Sequence, residues 1–72
     1  MSKSNLDKTE LNELIPKAIE VILEYGAIMS ILQKKLKLGY FASEQVMDEL
    51  EKRSIVGKFN GSQPREILIK NI

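Results

Sequence analysis

The sequence contains no cysteine and no histidine. These absences exclude a disulfide framework, a thiolate or imidazole zinc site, and the commonest catalytic nucleophile and general base. The four glycines are dispersed along the chain, so there is no glycine-rich loop that could hold a phosphate. We therefore expect no catalytic residue, no metal, no cofactor and no small-molecule substrate, in a protein that is not an enzyme.

Long apolar segments are also absent. No run approaches the roughly 20 residues that a membrane-spanning helix needs, and the N-terminal residues lack the apolar stretch of a signal peptide. The 72 residues are enough for one domain, with hydrophobic (43%) and charged (29%) fractions that are ordinary for a globular protein. We expect a cytoplasmic protein that makes no contact with membranes.

Charged residues are grouped in blocks, although the net charge is only +1. Residues 27–42 contain three lysines and no acidic residue, whereas residues 43–51 contain four acidic residues and no basic one. From residue 52 onwards there are five basic residues and a single glutamate. This grouping is compatible with one basic surface, which matters more for nucleic-acid binding than the total charge.

Apolar residues recur at helical spacing in the first third of the chain. Asp7 and Glu10 have the spacing of a capping box and predict a helix start. Pro16 either begins a second helical piece or bends a single helix, because proline is tolerated in a first helical turn. Gly26 is predicted to end this region.

Two further helices follow. Ser30 is predicted to cap a second helix of about two turns, and Gly39 marks a tight break after it. A third helix is expected from about Phe41 to Ser54, with Ser43 on its inward stripe. A short helix, a glycine turn and a longer helix predict a helix-turn-helix unit.

After Ser54 the apolar pattern changes to that of strands. Apolar residues within 55–59 and 67–69 flank Asn60-Gly61, which is the strongest short signal for a β-hairpin. We therefore predict an α+β, mainly α fold: a winged helix-turn-helix of three helices plus a C-terminal β-hairpin wing. Its expected organisation is an N-terminal helical extension, residues 1–15, and a winged-helix domain, residues 16–72.

Residues 30–40, Ser-Ile-Leu-Gln-Lys-Lys-Leu-Lys-Leu-Gly-Tyr, resemble the core of the gamma domain of the FtsK/SpoIIIE family of bacterial DNA translocases. The resemblance continues through residues 47–51, 55–57 and 61–68, and it covers roughly residues 17–69. It implies a winged helix that binds double-stranded DNA without hydrolysing anything, in DNA translocation, chromosome partition and cell division. It also implies contact with a tyrosine recombinase. The chain is either an excised piece of a translocase or a stand-alone product.

The front of the recognition helix departs from the family pattern. Where the family has Asn-Arg-Ala-Ala-Arg, this chain has Phe41-Ala42-Ser43-Glu44-Gln45, so both arginines are replaced. Arginine pairs bidentately with guanine, and each lost contact removes about 1–3 kcal/mol of base discrimination. We therefore expect the G-rich sequence preference that the family implies to be lost or replaced.

Affinity for the phosphate backbone is a separate matter. The second helix and the wing carry several lysines and one arginine. If about four of them contact phosphates, the logarithm of the binding constant falls with the logarithm of salt concentration with a slope of roughly −3.6. The alternative is that these residues only solubilise the domain. The candidate DNA-binding residues are Ser30, Gln33, Lys34, Lys35, Lys37, Phe41, Ala42, Glu44, Gln45, Lys58 and Arg65.

A second function stays open. The acidic residues on the third helix favour a protein-interaction module that contacts a recombinase or another partner through its recognition helix. Individual residues also have several interpretations. Phe41 anchors a partner, inserts against a base, or folds back on Tyr40, Leu38 or the stem of Lys37. Gln45 and Ser43 are candidates to hydrogen-bond adenine edges, and for Ser43 packing on the inward stripe is the favoured alternative. For Arg65 the alternative to DNA contact is an ion pair with Glu66 or with the helix carboxylates.

Overall fold

The first helix, α1, covers Lys8–Tyr25, and local side-chain contacts fix its start. In the computed structural model, which describes residues 5–59, 61 and 64–69, the Asp7 carboxylate accepts a hydrogen bond from the Glu10 amide at 2.8 Å. The Glu10 carboxylate accepts one from the Asp7 amide at 3.1 Å. The predicted capping box is thereby confirmed.

Pro16 lies inside α1, so the two alternatives for this residue resolve to one continuous helix. Proline cannot donate a backbone hydrogen bond, but Ile15 and Ala18 on either side of it are buried in the core. Tertiary packing therefore holds the helix through this point. The boundary predicted between residues 15 and 16 falls within α1, and the division into an extension and a domain stays a prediction.

The second helix, α2, covers Met29–Leu36, and the third helix, α3, covers Tyr40–Lys52. The prediction that Ser30 caps α2 is wrong, because the N-cap is Ile28, which makes no side-chain capping bond. The carbonyl oxygen of Ile28 instead accepts the amides of Ile31 and Leu32, at 3.2 and 3.1 Å. Ser30 therefore lies one residue inside the first turn.

The three helices pack against one another in pairs around a single apolar core. Leu32 of α2 and four side chains of α3 are almost completely buried, and Ser43 joins them on the inward stripe as expected. The buried apolar residues are Leu6, Ile15, Ala18, Ile22, Ala27, Leu32, Leu38, Ala42, Val46, Met47, Leu50, Ile55 and Val56. The core therefore draws on all three helices and on both flanking segments.

The predicted β-hairpin wing is wrong for the residues that the structure describes. They form no strand, and only two isolated antiparallel bridges occur, Ala27 with Arg65 and Val56 with Ile67. The returning segment divides its backbone bonds, because the Arg65 amide donates to Ala27 while the Leu68 amide donates to Ile55. The described part of the chain is therefore helical, without the α+β wing. Asn60, in the expected turn, lies outside the described residues.

The described residues form no hairpin because a backbone amide that the hairpin needs is bonded elsewhere. The amides of Ile55 and Val56 both approach the Leu50 carbonyl oxygen, at 2.8 and 3.4 Å, so they continue the end of α3. A two-stranded ladder is marginal in water even when all its donors are available. The two segments still share two backbone bonds, from the Gly57 amide to the Glu66 carbonyl oxygen and from the Leu68 amide to the Ile55 carbonyl oxygen, both at 2.8 Å. Because the Ile55 amide is directed to Leu50, the pairing stops at an isolated bridge and no strand forms among the described residues.

Candidate nucleic-acid interface

The side of α2 that faces away from the core is polar. Leu32 is fully buried, whereas Ser30 and Lys34 are exposed and lie four residues apart, which places them on one side of the helix. Gln33 is half-buried at the margin of this side. Helical geometry thus brings Ser30 and Lys34 together, with Gln33 beside them.

Lys35 and Lys37 add two further positive charges, one in the last turn of α2 and one directly after it. Lys35 is exposed, and its ammonium nitrogen lies 4.5 Å from the centre of the Tyr25 ring, a cation–π contact that orients the side chain. Lys37 is exposed at the end of α2. In the part of the chain that the structure describes, neither these lysines nor Lys34 form an ion pair with a carboxylate. We call Lys34, Lys35 and Lys37 the basic surface.

The backbone of Lys37 is unusual. It has φ 56° and ψ 50°, the left-handed conformation that glycine adopts more readily. For a residue with a Cβ this conformation costs about 1–2 kcal/mol. A charged side chain at a position that favours glycine is a reason to look for a function of that charge.

We define the outer face of α3 by three residues, Phe41, Glu44 and Asp48. The first of them, near the start of the helix, is apolar, and the two that follow are acidic. Phe41 is 65% exposed although its ring makes an edge contact with Tyr40, at 5.7 Å between ring centres. Glu44 and Asp48 form no ion pair among the described residues. Ala42, by contrast, is fully buried and packs in the core.

Gln45 is held by the segment that precedes α1. Its amide oxygen accepts a hydrogen bond from the Leu6 amide at 2.7 Å, and its amide nitrogen donates one to the Leu6 carbonyl oxygen at 3.0 Å. The Leu6 side chain is only 8% exposed. Sequence reasoning missed this contact, although Leu6 and Leu11 have the spacing of a hydrophobic staple around the α1 N-cap.

The far end of α3 is tied to α1 by a second contact that the sequence did not indicate. The Arg53 guanidinium donates to the Glu49 carboxylate at 2.8 Å and to the Asn12 side-chain oxygen at 2.7 Å. The hydrogen bond from Arg53 lowers the pKa of the Glu49 carboxyl below its ordinary value. This arginine and this glutamate therefore neutralise one another locally.

Arg65 and Lys58 are not part of the basic surface, and they differ from each other in their side-chain contacts. The Arg65 side chain is only 12% exposed, and its guanidinium is 3.3 Å from the Glu51 carboxylate. It also lies over the Phe59 ring, 5.7 Å from the ring centre. The ion pair anticipated as the alternative for Arg65 is present, whereas Lys58 is exposed. An arginine engaged in this way is less available to a phosphate than an exposed lysine.

The charges therefore segregate between two helices. The basic surface belongs to α2 and to the turn at residues 37–39, while α3 carries the uncompensated carboxylates of its outer face. A phosphate backbone is attracted to the first region and repelled by the second. Base-reading donors of the arginine type are absent from the front of α3.

The described residues also bear on metal binding and on membrane insertion. They contain no group of histidine, cysteine, aspartate or glutamate side chains that could hold a metal ion. None of the described helices is long and apolar enough to cross a bilayer.

Comparison with known proteins places the chain in a family. The family model described as the FtsK gamma domain matches residues 9–70. A DNA translocase FtsK of Caldanaerobacter subterraneus is 42% identical over 66 residues, covering 90% of this chain and 9% of that protein. One from Chlorobaculum tepidum is 45% identical over 51 residues, covering 71% of this chain and 6% of the relative. No solved structure matches significantly.

The chain spans less than a tenth of the length of these relatives, so the similarity concerns one domain of each. Within this chain, however, the match is nearly complete, and it includes α1, α2, α3 and the C-terminal segment. The resemblance deduced from residues 30–40 is confirmed. The chain belongs to the FtsK gamma domain family.

Proposed function

We propose that this domain binds double-stranded DNA through the basic surface, with a sequence preference that is altered or relaxed. The observation that carries the proposal is that Lys34, Lys35 and Lys37 have no carboxylate partner among the described residues. In a helix-turn-helix unit the first helix, here α2, crosses the DNA backbone while the second, here α3, lies in the major groove. The exposed lysines on α2 and on the turn after it support that mode of contact.

The front of α3 supports the loss of G-rich preference. Phe41 offers no hydrogen bond to a base edge, Ala42 is buried, and Gln45 already bonds the Leu6 backbone. Bidentate pairing with guanine needs an arginine or lysine at such positions. Phosphate contact and base reading are therefore separated in this domain, and affinity depends mainly on the first.

Fluorescence anisotropy with two labelled duplexes tests the proposal. One duplex has a random sequence and the other contains the G-rich family motif, and both are titrated at low and at moderate salt. We expect equal affinities that fall steeply as salt increases. Tighter binding to the G-rich duplex would mean that specificity has been retained, and no binding even at low salt would reject DNA as the partner.

The variant Lys37→Gly separates charge from folding. Glycine suits the left-handed backbone at this position, so the substitution removes a positive charge while relieving strain. We expect the slope of log affinity against log salt to become shallower by about 0.9. Lys52→Gln, in the last turn of α3, removes one exposed charge outside the basic surface and is the matched control. Equal effects of the two variants would contradict a localised contact.

A second function is favoured by one observation, the exposed Phe41 in front of the acidic residues Glu44 and Asp48. An aromatic anchor beside carboxylates suits a protein partner with a basic rim and an apolar pocket. A tyrosine recombinase is the partner to test, by NMR titration of the labelled domain. Binding that Phe41→Ala weakens while DNA affinity is unchanged would support this function.

We place the activity in the cytoplasm, in the context of DNA translocation, chromosome partition and cell division. Relatives that contain a matching segment are named DNA translocases, and we propose that this chain contributes DNA contact to such a process without catalysis. Incubating the domain with ATP and duplex DNA tests whether the domain acts without catalysis. Phosphate release above the buffer rate would contradict it.

A further inference from the structure

The amide of Gln45 is engaged on one complete edge. The Leu6 N–H donates to its oxygen at 2.7 Å, and its nitrogen donates to the Leu6 carbonyl at 3.0 Å. The two bonds come from a single residue that lies 39 positions earlier in the chain. Burial of the Leu6 side chain, with 8% exposed, keeps this backbone in place.

The same edge of a glutamine side chain is the one that reads adenine. Glutamine pairs bidentately with adenine by donating to N7 and accepting from the N6 amino group. The backbone of Leu6 offers the same combination, one donor and one acceptor side by side. Although an amide retains a second hydrogen and a second lone pair, these point away from each other and cannot pair with one base.

We propose that Leu6 is an internal competitor for adenine, so that its backbone keeps Gln45 from reading bases until Leu6 is displaced. The inference rests on the proposed DNA-binding function and adds a gated specificity to it. Gln45 lies four residues after Phe41, one turn further along α3. With Leu6 in place, α3 has no free bidentate group at its front, and binding depends on phosphates alone.

Hydrogen exchange of the Leu6 amide in the full chain tests the displacement directly. The probes are an alternating A·T duplex, which presents adenine at every second position, and the same duplex with 7-deazaadenine, which lacks the N7 acceptor. We expect the A·T duplex at saturation to speed exchange at Leu6, and the 7-deazaadenine duplex to leave it unchanged. Unchanged or slower exchange with saturating A·T duplex overturns the inference.

Two substitutions at residue 6 isolate the hydrogen bond. Both Leu6→Pro and Leu6→Ala lose apolar contact, but only proline also removes the N–H that bonds Gln45. We expect Leu6→Pro to bind the A·T duplex at least about fivefold more tightly than Leu6→Ala, the lower limit for one bidentate base contact. The difference should vanish with the 7-deazaadenine duplex and when Gln45→Met is added. Equal affinities of the two variants for the A·T duplex overturn the inference.

The outcomes separate this inference from the function on which it rests. Circular dichroism establishes that each variant is folded, and if the residue-6 variants are not, exchange in the unaltered chain decides. No binding of either duplex at low salt rejects DNA binding and the gate together. Salt-sensitive binding with Leu6 still protected leaves the proposed function standing and rejects the gate alone.

Discussion

Replacing Gly26 with alanine tests how α1 is joined to the rest of the domain. Gly26 has φ 101° and ψ 162°, a backbone region that is essentially restricted to glycine. An added Cβ meets Ile28 Cδ1 at 3.7 Å and Pro64 Cβ at 3.8 Å, which are ordinary van der Waals distances. The cost is therefore backbone strain and not collision, and we expect the free energy of unfolding to fall by about 1–3 kcal/mol.

The strain is placed where it cannot relax easily. Ala27 follows directly and is fully buried, and its carbonyl oxygen accepts the Arg65 amide at 3.2 Å. A rotation of the backbone at Gly26 that relieved the strain would also disturb this bond and the start of α2. Gly57 provides the matched control, because its φ is not positive and an added Cβ lies 3.5 Å from the Glu66 Cβ.

Urea unfolding followed by circular dichroism gives the two free energies, and thermal melting gives an independent measure. Each kcal/mol corresponds to about 4–8 °C in the melting temperature of a domain of this size. We expect Gly57→Ala to be neutral or to stabilise by up to about 1 kcal/mol through the unfolded chain. If Gly26→Ala and Gly57→Ala change stability equally, the argument from backbone strain at Gly26 is refuted.

Three further predictions concern single side chains. Ser43→Ala should stabilise the domain by about 1 kcal/mol in urea unfolding, because the buried Ser43 hydroxyl has no hydrogen-bond partner in the described part of the chain; a loss of stability would contradict this. Arg53 lowers the pKa of Glu49 in the folded state. The pair therefore adds to the free energy of unfolding above the pKa that Glu49 has in the unfolded chain, and this contribution is lost as pH falls through its pKa in the folded domain. In urea unfolding, the wild type should therefore exceed Glu49→Gln in free energy of unfolding by the full margin at neutral pH and by less in acid. A margin that does not change with pH would argue against the pair. Lys34→Gln should make the salt slope of DNA binding shallower by about 0.9, as measured by anisotropy, whereas an unchanged slope would remove Lys34 from the interface.

The sequence predicted those features of the fold that depend on neighbouring residues. The capping box at Asp7 and Glu10 needs only a spacing of three residues, and it was found where expected. The start of α2 was misplaced because an uncapped extended residue, Ile28, precedes it, and Ser30 gave a stronger local signal. Local patterns thus predicted that α2 exists, but not its first residue.

Contacts between distant segments could not be predicted in the same way. The hairpin pattern around residue 60 was clear, but the donors of Ile55 and Val56 are directed to Leu50, and that follows only from how α3 ends. Gln45 was recognised as a possible base reader from its position on the recognition helix. Its partner, Leu6, lies 39 residues away, and no spacing rule connects the two.

The separation of charges between α2 and α3 has a consequence for how strongly one copy of the domain can bind. In the proposed DNA complex the three lysines of the basic surface would give a salt-sensitive attraction, whereas Glu44 and Asp48 would oppose close approach of α3. Without arginine at the front of α3, there is no bidentate guanine contact to offset that repulsion. A single copy should therefore bind weakly and dissociate quickly, and stable attachment would require several copies held near one duplex, where effective concentration replaces intrinsic affinity.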